Sequence, residues 1–403
     1  MRTLRVFFFS LLVPVLVSCG GGAPTTTTPA FEFLYVGTSS AQFFKYHVAL
    51  DGSLQASALA SSIPQICWPQ LNPVPGAIYA LSTICPFTPL HSELRRFDLD
   101  QTGNIVSSSG PLSLGPDLPS GNGSPLTFVT SPDGKFAYVW SQTLDNSQHV
   151  SPVQIGPGGQ LTVKPDLGIS WAAIDDISCR CGITHIPDAV IRTANGLVLS
   201  VQNLLVNSSE QGSHISYSLY KLDDQTGGIV SLIDSVSLVL PTNNSFISYN
   251  GMLILTGETE FGPESGRLEL FQIGATGLTQ LRSCLPDQPS CAHPDAGAFH
   301  PSGKWVFIAD TTAGGLWTIP LSGGFLAPEK ASFLSANLPG GLRLVFSSTG
   351  KYLYVAQWDG KFASIQGFQI DQTTGGLTLL PGSPWPIGNV QKVTASVDVA
   401  GRN

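Results

Sequence analysis

An all-β fold is predicted by three features of this chain. Charged residues make up only 11% of the 403 residues, and Gly (43) and Pro (30) are abundant, so long solvated helices are scarce and turns are dense. A hairpin-like unit recurs along the sequence. Its second strand returns at regular intervals, through Tyr35, Tyr79, Tyr138, Val198, Ile254, Phe307 and Tyr354. The mean hydropathy of +0.18 excludes a disordered chain, which would lack the apolar surface to fold. The formal net charge of −8 argues against nucleic acid as a partner, because phosphates demand a basic face.

The elements are taken in order from the N-terminus. Arg2 and Arg5 form a basic start, and Val6 to Val17 is an apolar run interrupted only by Ser10 and Pro14. At about twelve residues it suits a signal segment and falls short of the ~20 needed to cross a bilayer. It ends in Leu16-Val17-Ser18-Cys19, which resembles the lipobox of bacterial lipoproteins. That resemblance implies cleavage before Cys19, lipidation of Cys19 and a membrane anchor. The following GGGAPTTTTPA, ending at Ala30, reads as an uncharged flexible tether. The expected organisation is therefore a signal peptide at 1–18, a lipidated tether at 19–30 and one folded body at 31–403. Without the signal the balance is 17 basic to 27 acidic residues. The expected location is the cell envelope, with the outer membrane favoured because Gly20, not Asp, follows Cys19.

Six further cysteines remain: Cys67, Cys85, Cys179, Cys181, Cys284 and Cys291. An even count in an oxidising compartment points to disulfides. Proximity suggests Cys67–Cys85, Cys179–Cys181 and Cys284–Cys291, although six cysteines allow fifteen pairings. No cofactor and no metal is expected.

Within the body, first halves of the repeat read LTFVTSPDGKFAYVW (126–140), GAFHPSGKWVFIAD (297–310) and LRLVFSSTGKYLYVAQ (342–357). Second halves read LRRFDLDQTGNIVSS (94–108), YSLYKLDDQTGGIVSL (217–232) and IQGFQIDQTTGGLTLL (365–380). Glycines in the tight turns supply positive φ, and the flanks alternate apolar and polar with period two. The anchor spacings of 44, 59, 60, 56, 53 and 47 residues give seven units of four strands. That spacing belongs to propeller blades. The chain starts at a second strand, FEFLYV, and ends with a first strand, VTASVDVAGRN. The C-terminal strand is therefore expected to complete the N-terminal blade and remove the raw sheet edge.

The SPDGK-type turns, the D-x-x-T-G turns and the closing LTLLPGSPWPIG (377–388) resemble the seven-bladed lactonase family. That family includes the 6-phosphogluconolactonase-like propellers and a carboxy-muconate lactonising enzyme. The resemblance spans about residues 31–403 and implies hydrolysis of a small sugar or organic-acid lactone. It places a histidine in His293-Pro294-Asp295, ahead of His300-Pro301-Ser302-Gly303-Lys304, with Asp295 where a second histidine often stands. Asp310 matches the aspartate of the following strand end. Arginines bind anions in such enzymes.

The long connections, at 82–93, 141–149, 164–188, 203–215, 257–266 and 283–296, share one face with the six cysteines. A binding surface is expected there. The candidate catalytic residues are His293, Glu258 and Asp310. The candidate substrate-binding residues are Arg192 and Arg343, in first strands near the central channel, and Trp358. Trp68, Trp140, Trp171 and Trp385 are expected on or near the same face, whereas Trp305 and Trp317 are expected in the core. The alternative is a non-catalytic surface propeller that binds a glycan or an envelope protein through this face.

Overall fold

The computed structural model describes most of 31–400; residues 1–30, 39–42, 58–65, 75, 85–91, 110–111, 114–127, 143–147, 170–181, 194, 207–213, 239–243, 248–251, 258–266, 275–276, 285–293, 340–342, 359–361, 390–392 and 401–403 lie outside the description. The signal segment, Cys19 and the tether are therefore outside it. All described residues belong to one compact unit, Phe31–Asn403.

Sheet I begins with β1 (Phe31–Thr38), β2 (Phe43–Val48) and β3 (Leu54–Ser57). Sheet II holds β4 (Ile66–Val74), β5 (Ala77–Ile84), β6 (Ser92–Leu99), β7 (Ile105–Ser108) and β8 (Leu112–Ser113). Sheet III holds β9 (Phe128–Thr130), β10 (Phe136–Gln142), β11 (Gln148–Ile155) and β12 (Leu161–Val163). Sheet IV holds β13 (Gly182–Thr193), β14 (Gly196–Val206), β15 (His214–Leu222) and β16 (Ile229–Leu238). Sheet V holds β17 (Asn244–Ile247), β18 (Met252–Gly257), β19 (Arg267–Ile273) and β20 (Leu278–Cys284). Sheet VI holds β21 (Ala296–Phe299), β22 (Trp305–Asp310), β23 (Gly315–Ser322), β24 (Phe325–Leu326) and β25 (Ser332–Ser335). Sheet VII holds β26 (Arg343–Phe346), β27 (Tyr352–Trp358), β28 (Phe362–Ile370), β29 (Leu377–Leu379) and β30 (Trp385–Asn389). The last strand, β31 (Val393–Ala400), returns to sheet I.

Each sheet is an antiparallel meander, and its first strand neighbours the first strand of the next sheet. The order β31, β4, β9, β13, β17, β21, β26 returns to β31. The fold is an all-β propeller. β31 pairs with β1 over its full length, Phe31 opposite Ala400 to Thr38 opposite Val393, so the terminal strands meet as their sequences require. The expectation of four strands per sheet needs correction. Sheets II, VI and VII carry a fifth, because their outer strand is broken: β24 and β25 both pair with β23, and β29 and β30 both pair with β28.

The anchor positions all fall on second strands, and the geometry supplies a reason for the tyrosines. Tyr35, Tyr138 and Tyr354 are buried, and each donates its hydroxyl to a glycine carbonyl in the third-to-fourth-strand turn of the next sheet. The acceptors are Gly103 at 2.8 Å, Gly227 at 3.1 Å and Gly52 at 2.9 Å. Two residues earlier, Phe33, Phe136 and Tyr352 lay their rings on the same glycines. A Cβ on Gly227 would come within 2.6 Å of the Phe136 ring, and its φ of 71° is the left-handed region that favours glycine. The D-x-x-T-G turn therefore serves as a socket as well as a hairpin. Its aspartate holds the turn from inside: in the turn after β15, Asp223 Oδ1 accepts from the amides of Gln225 and Thr226. Between sheets VI and VII the same place is filled by Trp305 stacked over Gly375, with Thr318 Oγ1 donating to the Gly375 carbonyl.

Candidate functional site

The meander defines two ends. Tight turns join first to second and third to fourth strands at one end. The longer connections, from second to third strand and from sheet to sheet, lie at the other end, the loop face. Strand direction therefore decides where each candidate residue stands.

Arg192 is next to last in β13, opposite Leu197 and beside the Thr193–Gly196 hairpin, which places it at the tight-turn end. Its guanidinium binds Asp224 at 3.0 Å and Asp133 at 3.3 Å, carboxylates from turns of sheets IV and III. The hydrogen bond to Asp224 raises its pKa further. Arg192, expected to bind substrate near the central channel, thus stands at the tight-turn end, because first strands run away from the loop face. Arg343 opens β26, at the loop-face end of the inner circle, and is exposed. The β26–β27 register pairs it with Ala356, two residues before Trp358.

Asp310 ends β22 at the loop face and is buried. Both its oxygens are engaged: Oδ1 accepts from the Ala313 amide at 2.7 Å and Oδ2 from Trp317 Nε1 at 3.3 Å. These contacts fix the 310–314 turn. Asp295 does similar work beside it. Its Oδ2 accepts from both the amide and the hydroxyl of Thr311, each at 2.6 Å. This pins the segment that follows His293 to the end of β22. His293 and Glu258 lie outside the described residues, as do Cys85, Cys179, Cys181 and Cys291. Cys67 and Cys284 have a described backbone only, in β4 and at the end of β20.

Trp358 ends β27 at the loop face and is half-buried; its Nε1 has no hydrogen-bond partner. Trp140 departs from expectation. It is 1% exposed and belongs to the core between sheets III and IV, because its place on β10 turns the indole inward. Trp385 packs over Gly367 and closes a hydrophobic cluster. Trp171 is outside the described residues, as is the Trp68 side chain. Trp305 is core, and Trp317 is partly buried against a second cluster, with Val306, Ile308 and Ile319.

Sequence reasoning missed His300 as more than part of a motif. It is buried in the β21–β22 turn. Its Nδ1 accepts from the Ser302 amide at 3.1 Å, so Nε2–H donates to the Gly350 carbonyl of sheet VII at 2.8 Å. Burial lowers its pKa. It joins two turns at the tight-turn end and stands away from the loop face. Its neighbours Pro301, Ser302 and Gly303 had signalled only a turn. Among the described residues no group of three or more His, Cys, Asp or Glu side chains could hold a metal ion, and no helix is long and apolar enough to cross a membrane.

No protein-family model and no curated protein matches the chain. Solved structures do. The periplasmic gluconolactonase of Pseudomonas aeruginosa is similar at a TM-score of 0.59 and 15% identity, over 92% of this chain and 100% of that one. A candidate 6-phosphogluconolactonase from Bacteroides fragilis aligns at 0.57 and 16% identity, over 92% and 99%. One from Bacteroides uniformis aligns at 0.55 and 15%, over 91% and 99%. At these identities the likeness is one of fold: a β-propeller, matched over 91–92% of this chain.

Proposed function

We propose that this chain is an exported propeller of seven blades, one per sheet, that opens a small lactone at its loop face in the cell envelope. The observation that carries the reading is the placement of exposed Arg343 at the loop-face end of the inner circle, next to the strand that ends in Trp358, in a propeller matched over 92% of its length by lactonase-named structures. The signal-like start and Cys19 support export and a lipid tether to the membrane, the outer membrane being the favoured site. The periplasmic address in the name of the Pseudomonas protein supports an envelope location.

In this reading His293 takes a proton from water, and the water oxygen attacks the lactone carbonyl. Arg343 holds the developing oxyanion and then the product carboxylate. The ring C–O bond breaks, and Glu258 in its acid form protonates the departing alkoxide. Asp310 and Asp295 enter as positioning residues that fix the 310–314 turn and the segment after His293. Disulfides among the loop-face cysteines would stiffen the surrounding connections.

The half-buried Trp358 ring at the loop face favours a second reading in which the same face binds a glycan without chemistry. Titration of released acid by the purified protein on sugar lactones and simple γ- and δ-lactones separates the two. Turnover that falls at least 100-fold in His293→Ala and in Arg343→Ala supports the hydrolase. Turnover that survives both substitutions moves the site elsewhere. Absence of turnover across the panel, with glycan binding lost in Trp358→Ala, establishes the binding reading instead.

A further inference from the structure

Sheet I differs from its neighbours II and VII at the tight-turn end. The tip of the β6–β7 turn in sheet II is Gln101 and Thr102, and that of the β28–β29 turn in sheet VII is Gln372, Thr373 and Thr374, all exposed and polar. In the β2–β3 turn of sheet I the place of Gln101 is taken by Leu50, which is 91% exposed. The backbone sets this correspondence: the Gly52 amide donates to the Ala49 carbonyl at 2.9 Å, as the Gly103 amide does to the Asp100 carbonyl at 2.9 Å. One exposed leucine is ordinary by itself. This one is held rigidly at its tip. The Leu50 carbonyl accepts from the Tyr352 hydroxyl at 2.6 Å, and the Gly52 carbonyl accepts from Tyr354 at 2.9 Å. Asp51 turns its charge back into the hairpin, where its Oδ1 accepts from the amide and the hydroxyl of Ser53 at 2.9 and 2.7 Å.

The chain enters the folded body beside this turn. β1 is a second strand and so starts at the tight-turn end, where Glu32 Oε1 accepts from the Ser348 amide in the β26–β27 turn. Glu32 lies opposite Val48, two residues before Leu50. From there β1 runs eight residues, about 25 Å, to the loop face. The twelve residues from Cys19 to Ala30 are rich in Gly, Pro and Thr, and a flexible chain of that length spans about 20 Å root mean square. A lipid at Cys19 would therefore draw the tight-turn end to the bilayer. To bring the loop face down instead, the tether would have to run back along the whole height of sheet I.

We infer that the tight-turn end of sheet I rests on the lipid bilayer, with Leu50 at the boundary of headgroups and acyl chains and the loop face turned to the aqueous side. This rests on the reading of Cys19 as a lipidated tether. It leaves the candidate site open to a water-borne ligand.

The test uses the full mature chain on phosphatidylcholine vesicles whose acyl chains carry bromine, a quencher of indole emission. Leu50→Trp and Phe362→Trp report from the two ends; Phe362 opens β28 at the loop face and is 61% exposed. Emission added over the wild type is expected to fall about twofold in Leu50→Trp, because an indole at that boundary meets the bromine atoms, and to be unchanged in Phe362→Trp. Quenching of Phe362→Trp overturns the orientation whatever Leu50→Trp does, and quenching of neither overturns the contact. Should a variant lose its melting transition, amide exchange of the wild type decides. Slower exchange at 49–53 on vesicles than in detergent supports the inference, and equal exchange overturns it. The mass of the mature chain is read separately. A chain without lipid at Cys19 sinks the tether reading and this inference with it; a lipidated chain with unquenched Leu50→Trp sinks the inference alone.

Discussion

Sheets I, III and VII are joined to their next neighbours by a buried tyrosine hydroxyl seated on a glycine carbonyl, whereas sheets IV and V have Val198 and Ile254 at the same position. From sheet IV to sheet V the bond comes from a different strand, with Asp234 on β16 accepting the Leu278 amide at 2.8 Å. The same architecture is thus held by directional bonds in one sector and by apolar packing plus an outer carboxylate in another. A tyrosine latch fixes the angle between sheets because both ring and hydroxyl must fit one turn. Val198 fills volume in a cluster with Tyr217 and Phe271 and leaves that angle to the sheets' own twist. The longest connection of the sequence, 164–188, adjoins the sector without tyrosines, as do 203–215 and 257–266.

The largest effect is expected at the seam. Removing residues 391–403 deletes β31, leaves β1 without its inner partner and opens the ring. The expected result is loss of the cooperative melting transition, read by circular dichroism; a parent-like melt would show that closure is dispensable.

Next in size is the socket itself. Gly227→Ala combines a left-handed backbone with a Cβ pressed into the Phe136 ring, and about 3 kcal/mol of destabilisation is expected. Gly76→Ala has a φ of 74° with nothing within 4 Å, so about 1–2 kcal/mol is expected. Equal denaturant midpoints for the two would remove the socket from the account.

A smaller effect concerns the turn-to-turn bond from His300. Burial holds its folded-state pKa below the unfolded value of about 6.5, so the neutral ring is favoured in the fold. The unfolded chain therefore takes up the proton first as pH falls. Stability from this group is complete above about pH 6.5 and declines from there down to the folded pKa. The melting temperature is expected to fall between pH 7 and 5, and His300→Gln should flatten that part of the profile. An unchanged slope would assign it to other groups.

The smallest effect is expected at Arg192. Its side chain is 45% exposed, so its two ion pairs are screened, and Arg192→Ala should cost about 0–1 kcal/mol. Lactone turnover should be unaffected. A large loss of turnover would return this arginine to the site and contradict its position at the tight-turn end.

Much of this molecule was legible beforehand because its repeat is written in local chemistry. Turn glycines, period-two alternation and the incomplete first and last units specify strands, hairpins and the pairing of β1 with β31, each a property of a few neighbouring residues or of one pattern recurring. The anchors Tyr35, Tyr138 and Tyr354 could be found by spacing, but their task could not: each hydroxyl meets a glycine from another unit of the chain, 68, 89 and 302 residues away. Arg192 and Arg343 look alike in sequence, both in first strands. Strand direction sends one to the tight turns and the other to the loop face, and the partners of Arg192 come from Asp133 and Asp224, 59 and 32 residues distant. Trp140 likewise reads as a residue near a loop until its place on β10 turns it inward. The strands, the turns and the closing pair follow from local residue patterns, because hydrogen bonding and backbone dihedral preferences act over a few residues. Which polar groups meet across neighbouring sheets, and so which of them are latches and which stand at the loop face, follows from the tertiary structure, because those distances depend on how whole sheets stack around the ring.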